Sequence, residues 1–309
     1  MENLYKACDL CPNSCLVDRT KRLGLCGQSD EVKIGWAGLH KGEEPPLIGE
    51  LGAGMIFFSG CPIACQYCQN HQISCRGDKS LGVKVSVEEL KNIILELQRV
   101  GATCLNLVTA THFVPSIIKA LDLAKKEGFN LPVVYNTSGF ESVYGLSLID
   151  PYIDLYLVDF KSLDAKVSKD YCSTSKYKDV IIPCLDFITK QKPYTDLDKI
   201  YGSIVRHLVF PNSLDASIDV LEYYAKHYKD KCFLSLMVQF VSPREGEYFP
   251  PLTEDEYDSL LSYLDIYDIE EGFVQELGDD EVWIPNFNNP NPFPDGFATP
   301  LEYFLSLKK

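Results

Sequence analysis

Long apolar runs are missing from this 309-residue chain, and so is any excess of basic charge. No stretch of about 18 apolar residues occurs, so a membrane-spanning helix is not expected. The 29 Lys and Arg residues stand against 44 Asp and Glu, a net charge of −15. Nucleic-acid binding draws on a basic surface that displaces counterions, so a nucleic acid is not expected as a partner. Acidity on this scale serves solubility. The opening MENLYKACDL carries no basic segment followed by an apolar one, so no export signal is read and a cytoplasmic location is expected. Internal repeats and low-complexity tracts are also absent. A hydrophobic share of 46% and a charged share of 24% are those of a soluble globular protein, and the length allows one large α/β domain or two ordinary ones.

Cysteine, by contrast, is abundant: twelve residues, seven of them in two tight clusters. Clustered thiols in a reducing compartment point to metal ligands rather than disulfides. Cys8, Cys11, Cys15 and Cys26 form the first set, and Cys61, Cys65 and Cys68 the second. Cys75, Cys104, Cys172, Cys184 and Cys232 are scattered, and most of them read as small buried hydrophobes.

Three segments are expected: residues 1–54 as a Cys-rich extension and irregular linker, 55–277 as a barrel, and 278–309 as a tail packed on it. Apolar, strand-like text occurs at residues 55–59, 103–109, 132–137, 152–161, 204–210 and 232–240, with one more candidate at 272–277. Between these runs lie helical patterns. Ser86 with Glu89 and Thr253 with Glu256 spell capping boxes, while Pro115 and Gly128 bracket another helix. Six strands alternating with helices predict a parallel sheet with helical crossovers, hence the α/β class. The span is short of the ~250 residues of an eight-unit barrel, which leaves a partial (β/α)6 TIM-like barrel or an open sheet. Either way a ligand belongs at the C-terminal ends of the strands, where the second cysteine set lies.

That set is C-x3-C-x2-C within GCPIACQYCQN, residues 60–70. Structural zinc wants four closed ligands, and an iron–sulfur cube has four iron corners. Three thiols in one loop leave one corner free for a small molecule. The motif, with an aromatic before its third cysteine and a βα series around it, resembles the radical S-adenosylmethionine superfamily. Within it the chain is most similar to pyruvate formate-lyase activating enzyme and its relatives, the glycyl-radical activases. The likeness is strongest to uncharacterised activase-like iron–sulfur proteins with an added Cys-rich N-terminus. GEEPPLIGELGAGMIFFSGC, CQNHQIS, NLVTATHFVP and FVQELGDDEVWIPNF carry it, over nearly the whole chain.

The resemblance implies a 4Fe–4S cluster on Cys61, Cys65 and Cys68 whose free iron takes S-adenosylmethionine. Reductive cleavage then gives a 5′-deoxyadenosyl radical for hydrogen abstraction. Tyr67 would lie near the adenine. Strand alternation puts Asp159 and Lys161 on one face and Phe160 on the other. Their plain reading is a structural ion pair, but activases carry Asp-x-Lys here, against the methionine end, with a monovalent cation near the Asp. Asn136 and Thr137 match the first two residues of the activase Asp-Thr-Asn-Gly-Phe, with Asn in place of the acid, so the expected cation site loses a carboxylate. Thr109 and Thr111 stand where the superfamily usually has Gly-Gly-Glu-Pro, and would receive the ammonium. His112 reads as a proton handler or substrate contact, or as a solvated loop residue. Arg206 and Gln239 face inward and read as nucleotide or substrate contacts, or as satisfied core polar residues.

The first cysteine set closes a four-thiol site, structural zinc or a second iron–sulfur cluster. Implied partners are a glycyl-radical-type protein substrate, or else a small molecule or peptide, together with a reductant such as flavodoxin or ferredoxin. The remaining alternative is a non-catalytic zinc or iron–sulfur protein.

Overall fold

Each apolar run becomes a strand and each amphipathic run a helix wherever a local signal fixes the ends. The structure is a computed structural model that describes residues 2–77, 79–243, 249–278 and 283–308. Its elements are β1 (Val32–His40), α1 (Pro45–Ile48), β2 (Ala53–Phe58), α2 (His71–Ser74), β3 (Val83–Val85), α3 (Val87–Arg99), β4 (Leu105–Val108), α4 (Val114–Lys126) and β5 (Val133–Thr137). There follow α5 (Val143–Ile149), β6 (Leu155–Asp159), α6 (Ala165–Cys172), α7 (Tyr177–Gln191), β7 (Gly202–Leu208), α8 (Leu214–His227), β8 (Phe233–Met237), α9 (Glu254–Ile266), β9 (Gly272–Val274), β10 (Ala298–Pro300) and α10 (Glu302–Ser306). Both capping boxes are made: Ser86 and Thr253 each accept from the backbone N–H three residues on, and Glu89 and Glu256 reach back.

Strands β2, β4, β5, β6, β7, β8 and β9 pair in that order, all parallel. The first six are the expected ones, and β9 falls within the additional candidate segment. The fold is an α/β partial TIM-like barrel. Period-two alternation divides its side chains into two cores. Ile56, Phe58, Leu107, Val158, Val205 and Leu234 pack outward against the helices. Met55, Phe57, Val134, Leu157 and Ile204 fill the interior.

Residues 28–54 are not the irregular linker expected. Nine of them form β1, antiparallel to β2 and flanked by β3 and β10, so the sheet crosses the expected boundary at residue 54. The reason lies in VKIGWAGLH. Two glycines and a register shift between Ile34 and Trp36 blur the alternation, yet Trp36 is fully buried. The tail packs on this edge: Phe293 lies 5.0 Å from the Trp36 ring and 4.6 Å from His40. Residues 279–282, within the FVQELGDDEVWIPNF stretch, lie outside the described residues.

Candidate active site

The triple-cysteine loop leaves the C-terminal end of β2 through Gly60, whose φ is +82°. A Cβ there would stand 2.4 Å from Gln28 Cγ, so both conformation and space require glycine. Cys61 is buried, while Cys65 and Cys68 are half-buried. Cys68 Sγ lies 3.2 Å from Ser74 Oγ. Among the described residues, no three Cys, His, Asp or Glu side chains converge on a point that would hold a single ion. A cube asks something different, since each thiol takes its own iron. Burial pushes the free Cys61 thiol well up, and the Cys68 thiol to about 11. Metal ligation is the ordinary way to keep such thiols ionised. Three soft donors in one loop therefore fit a cluster that has one corner without a protein ligand.

Lys161 faces this loop. Its Nζ donates to Asp159 Oδ2 at 2.7 Å and to the Tyr67 hydroxyl at 3.0 Å. Burial opposes its charge, but Asp159 together with Tyr67, Cys65 and Tyr177 outweighs burial and raises the Lys161 pKa well above that of a free lysine. Phe160 points away, edge-on to Tyr223 of α8. Tyr67 belongs to an aromatic group with Phe210 at 5.0 Å and Phe240 at 5.5 Å. Beside it is a cavity of about 320 Å³ lined by Gln66, Tyr67, Val167, Tyr171, Phe240 and Phe249, among others.

Beside Asp159 in the sheet register, Arg206 donates to Glu44 Oε1 at 2.7 Å and to Glu43 Oε2 at 2.6 Å. These carboxylates went unnoticed in the sequence. Burial raises the Glu43 pKa. For Glu44, burial is outweighed by the Arg206 charge and hydrogen bonds, and its pKa falls. A lone inward arginine must find a counter-charge, and the adjacent glutamates of GEEPP were the available signal.

The other expected residues divide. Asn136 points inward, 3.5 Å from Glu43 Oε2. Thr137 points outward and donates to Glu141 Oε1 at 2.5 Å. Successive strand residues face opposite ways, so these two side chains do not meet. Thr111 donates to the same Glu141 oxygen at 2.5 Å. Burial lifts Glu141, another residue the sequence did not flag, to about 7. Thr109 directly follows β4 with φ at +58°, a conformation a β-branched residue seldom adopts, and its N–H donates to Asn136 O. Gln239 donates its backbone N–H to Gln275 Oε1 at 3.1 Å.

His112 is not a solvated loop residue. It is 1% exposed, and its Nε2 lies 2.7 Å from Ser59 O, bracing the strand end that launches the cysteine loop. Burial, aided by the Arg19 charge, lowers it to about 3, so the ring is neutral at physiological pH. Cys172 is more than core filling, because its thiol pairs with that of Cys65.

The Cys-rich head sits on the same end of the barrel. Ser142 Oγ donates to Leu10 O at 2.8 Å, and Asn13 Nδ2 donates to Pro62 O at 2.7 Å. Cys61 N–H donates to Cys26 O at 3.3 Å, joining the two cysteine sets through one backbone bond.

Residues 55–190 match the model of the Radical SAM superfamily. A protein of Methanocaldococcus jannaschii, "Uncharacterized protein MJ0674", is 28% identical over 87% of this chain and 77% of its own length. Among solved structures, a radical SAM methyltransferase from Sphaerobacter thermophilus shares the fold with a TM-score of 0.52 and 12% identity, over 72% of this chain and 66% of that one. Streptococcus suis SuiB does so with a TM-score of 0.50 and 10% identity, over 71% of this chain. The match spans about half of SuiB, 48% of its length. No helix among the described residues is long and apolar enough to cross a membrane.

Proposed function

We propose that this chain is a radical S-adenosylmethionine enzyme of the activase type, which abstracts hydrogen from a polypeptide substrate. One observation carries the reading: the Lys161–Tyr67–Asp159 network faces a loop of three thiols at the strand ends of a segment that matches the Radical SAM superfamily model. When bound, a 4Fe–4S cluster with a free iron corner supplies the electron that cleaves the sulfonium of S-adenosylmethionine.

The chain's own residues then bind and orient. Cys61, Cys65 and Cys68 hold the cluster. Lys161, kept protonated by Asp159, presents a fixed ammonium to the cosubstrate carboxylate. Tyr67 and its aromatic neighbours offer flat apolar surface to the adenine. Thr109 stands just after β4, where the cosubstrate ammonium would lie, whereas the Thr111 hydroxyl is committed to Glu141 on the outer side. Arg206, bound to Glu43 and Glu44, fixes the charge on the strand next to Asp159. Glycyl-radical activation is the finer part of the reading and rests on the whole-chain resemblance, and a flavodoxin- or ferredoxin-type donor would supply the electron.

The test is anaerobic: load the protein with iron and sulfide, reduce it, add S-adenosylmethionine and assay 5′-deoxyadenosine. Its formation is expected. A properly loaded cluster that yields none, or stoichiometric zinc in the loop, would overturn the proposal.

A further inference from the structure

Arg19 is 0% exposed. Its guanidinium donates to three neutral carbonyls: His112 O at 2.6 Å, Ser29 O at 2.5 Å and Gln28 O at 3.2 Å. It lies over the Tyr5 and Phe113 rings at 4.8 and 5.6 Å. Among the described residues no carboxylate lies within ion-pair distance of it. An arginine stays charged, and a buried cation without a counter-charge is costly by several kcal/mol, on the order estimated for buried ions.

What surrounds it instead is sulfur. Arg19 Nη1 also lies 3.6 Å from Cys8 Sγ. Cys26 Sγ stands 3.3 Å from where a Cβ on Gly24 would be, and Arg19 Cδ is equally near that point. Cys8, Cys11 and Cys26 are all buried, and Cys15 is half-buried with its Sγ 3.9 Å from Cys8 O. Neutral thiols do not offset a guanidinium, whereas metal-bound thiolates do. A disulfide would leave Arg19 as unbalanced as before. Cys26 is within electrostatic reach of Cys8, Cys11 and Cys15, so the four thiols lie near one another beside Arg19, without three of the described side chains closing on one ion, as in the loop set.

We propose that Cys8, Cys11, Cys15 and Cys26 hold a second iron–sulfur cluster, with Arg19 as its buried counter-cation. This cluster abuts the one in the radical loop, because Cys61 N–H donates to Cys26 O and Asn13 reaches Pro62 O. Only that neighbour relation rests on the radical reading; the head site stands on its own residues.

The full-length Cys61→Ala/Cys65→Ala/Cys68→Ala variant isolates the head. After anaerobic loading, iron, sulfide and zinc are counted. About four irons and four sulfides per chain, with a brown chromophore, are expected. One zinc with no iron, or no metal at all, would overturn the proposal. In the same background, Arg19→Gln is expected to lower the midpoint potential of the remaining cluster, because a positive charge next to it is gone. Arg19→Lys, which keeps the charge, is expected to restore most of it. An unchanged potential in Arg19→Gln would remove Arg19 from the role. In the wild-type protein, the reduced clusters are expected to show electron-spin coupling that Cys8→Ala/Cys11→Ala abolishes; two independent signals would refute the contact. None of these readouts uses deoxyadenosine, so failure here is distinct from failure of the radical assignment.

Discussion

Lys161 bridges two chain segments: its ammonium takes the Asp159 carboxylate at 2.7 Å from the end of β6 and the Tyr67 hydroxyl at 3.0 Å from the cysteine loop. Asp159 thereby fixes the direction of an ammonium aimed at the cluster loop. Asp159→Ala is expected to weaken S-adenosylmethionine binding about tenfold, some 1.4 kcal/mol, while leaving iron content intact. Equilibrium binding alongside an iron count checks this, and unchanged affinity would return the pair to a structural role.

The three loop cysteines are expected to be individually indispensable, whereas Cys172 is not. Cys61→Ala, Cys65→Ala and Cys68→Ala should each abolish deoxyadenosine formation. Cys172→Ser, though its partner is Cys65, should leave cleavage close to wild type. Retained cleavage in any loop variant, or its loss in Cys172→Ser, would mean that the ligand set is different.

Glu141 predicts a pH dependence. Its folded pKa of about 7 lies above the ordinary glutamate value of 4.5, because burial penalises the charged form. The protonated form is therefore the one the fold prefers. The corresponding stability is fully present below pH 4.5 and is lost as pH rises through about 7. Glu141→Gln keeps an acceptor for Thr111 and Thr137, and should flatten that decline and gain up to about 3 kcal/mol at pH 8. Denaturant melts at pH 5 and pH 8 decide it; parallel losses in both proteins would sink the idea.

Gly145 marks where the head meets α5. A Cβ there would come 2.3 Å from Leu10 O, closer than any relaxed contact. Gly145→Ala should cost roughly 1–3 kcal/mol and loosen the head. Limited proteolysis should then cut N-terminal to residue 28 faster than in wild type, and equal rates would show that the contact yields cheaply.

Much of this was legible in the sequence, for a physical reason. Strand alternation is local, so Asp159 and Lys161 could be assigned to one face and Phe160 to the other. The same rule separates Asn136 from Thr137, although a motif match treats them as a unit. Capping boxes are equally local, and both formed. What stayed hidden depends on distant partners. β1 is defined by its neighbours β2, β3 and β10 rather than by its own glycine-broken pattern. Glu43 and Glu44 acquire meaning only once Arg206, 162 positions from Glu44, is folded against them. His112 reads as a loop residue until the head covers it.

The pairing of β1 with β10 bears on the protein's own synthesis. Gly38, Leu39 and His40 find their partners in Pro300, Thr299 and Ala298. A ribosome making this chain emits residues 38–40 long before their partners at 298–300. Until residues 298–300 emerge, β1 carries a backbone edge without its β10 partner, the kind of edge that recruits foreign strands. Nascent chains stalled before residue 298 should therefore be sticky, and emergence of residues 298–300 is the event that seals this edge.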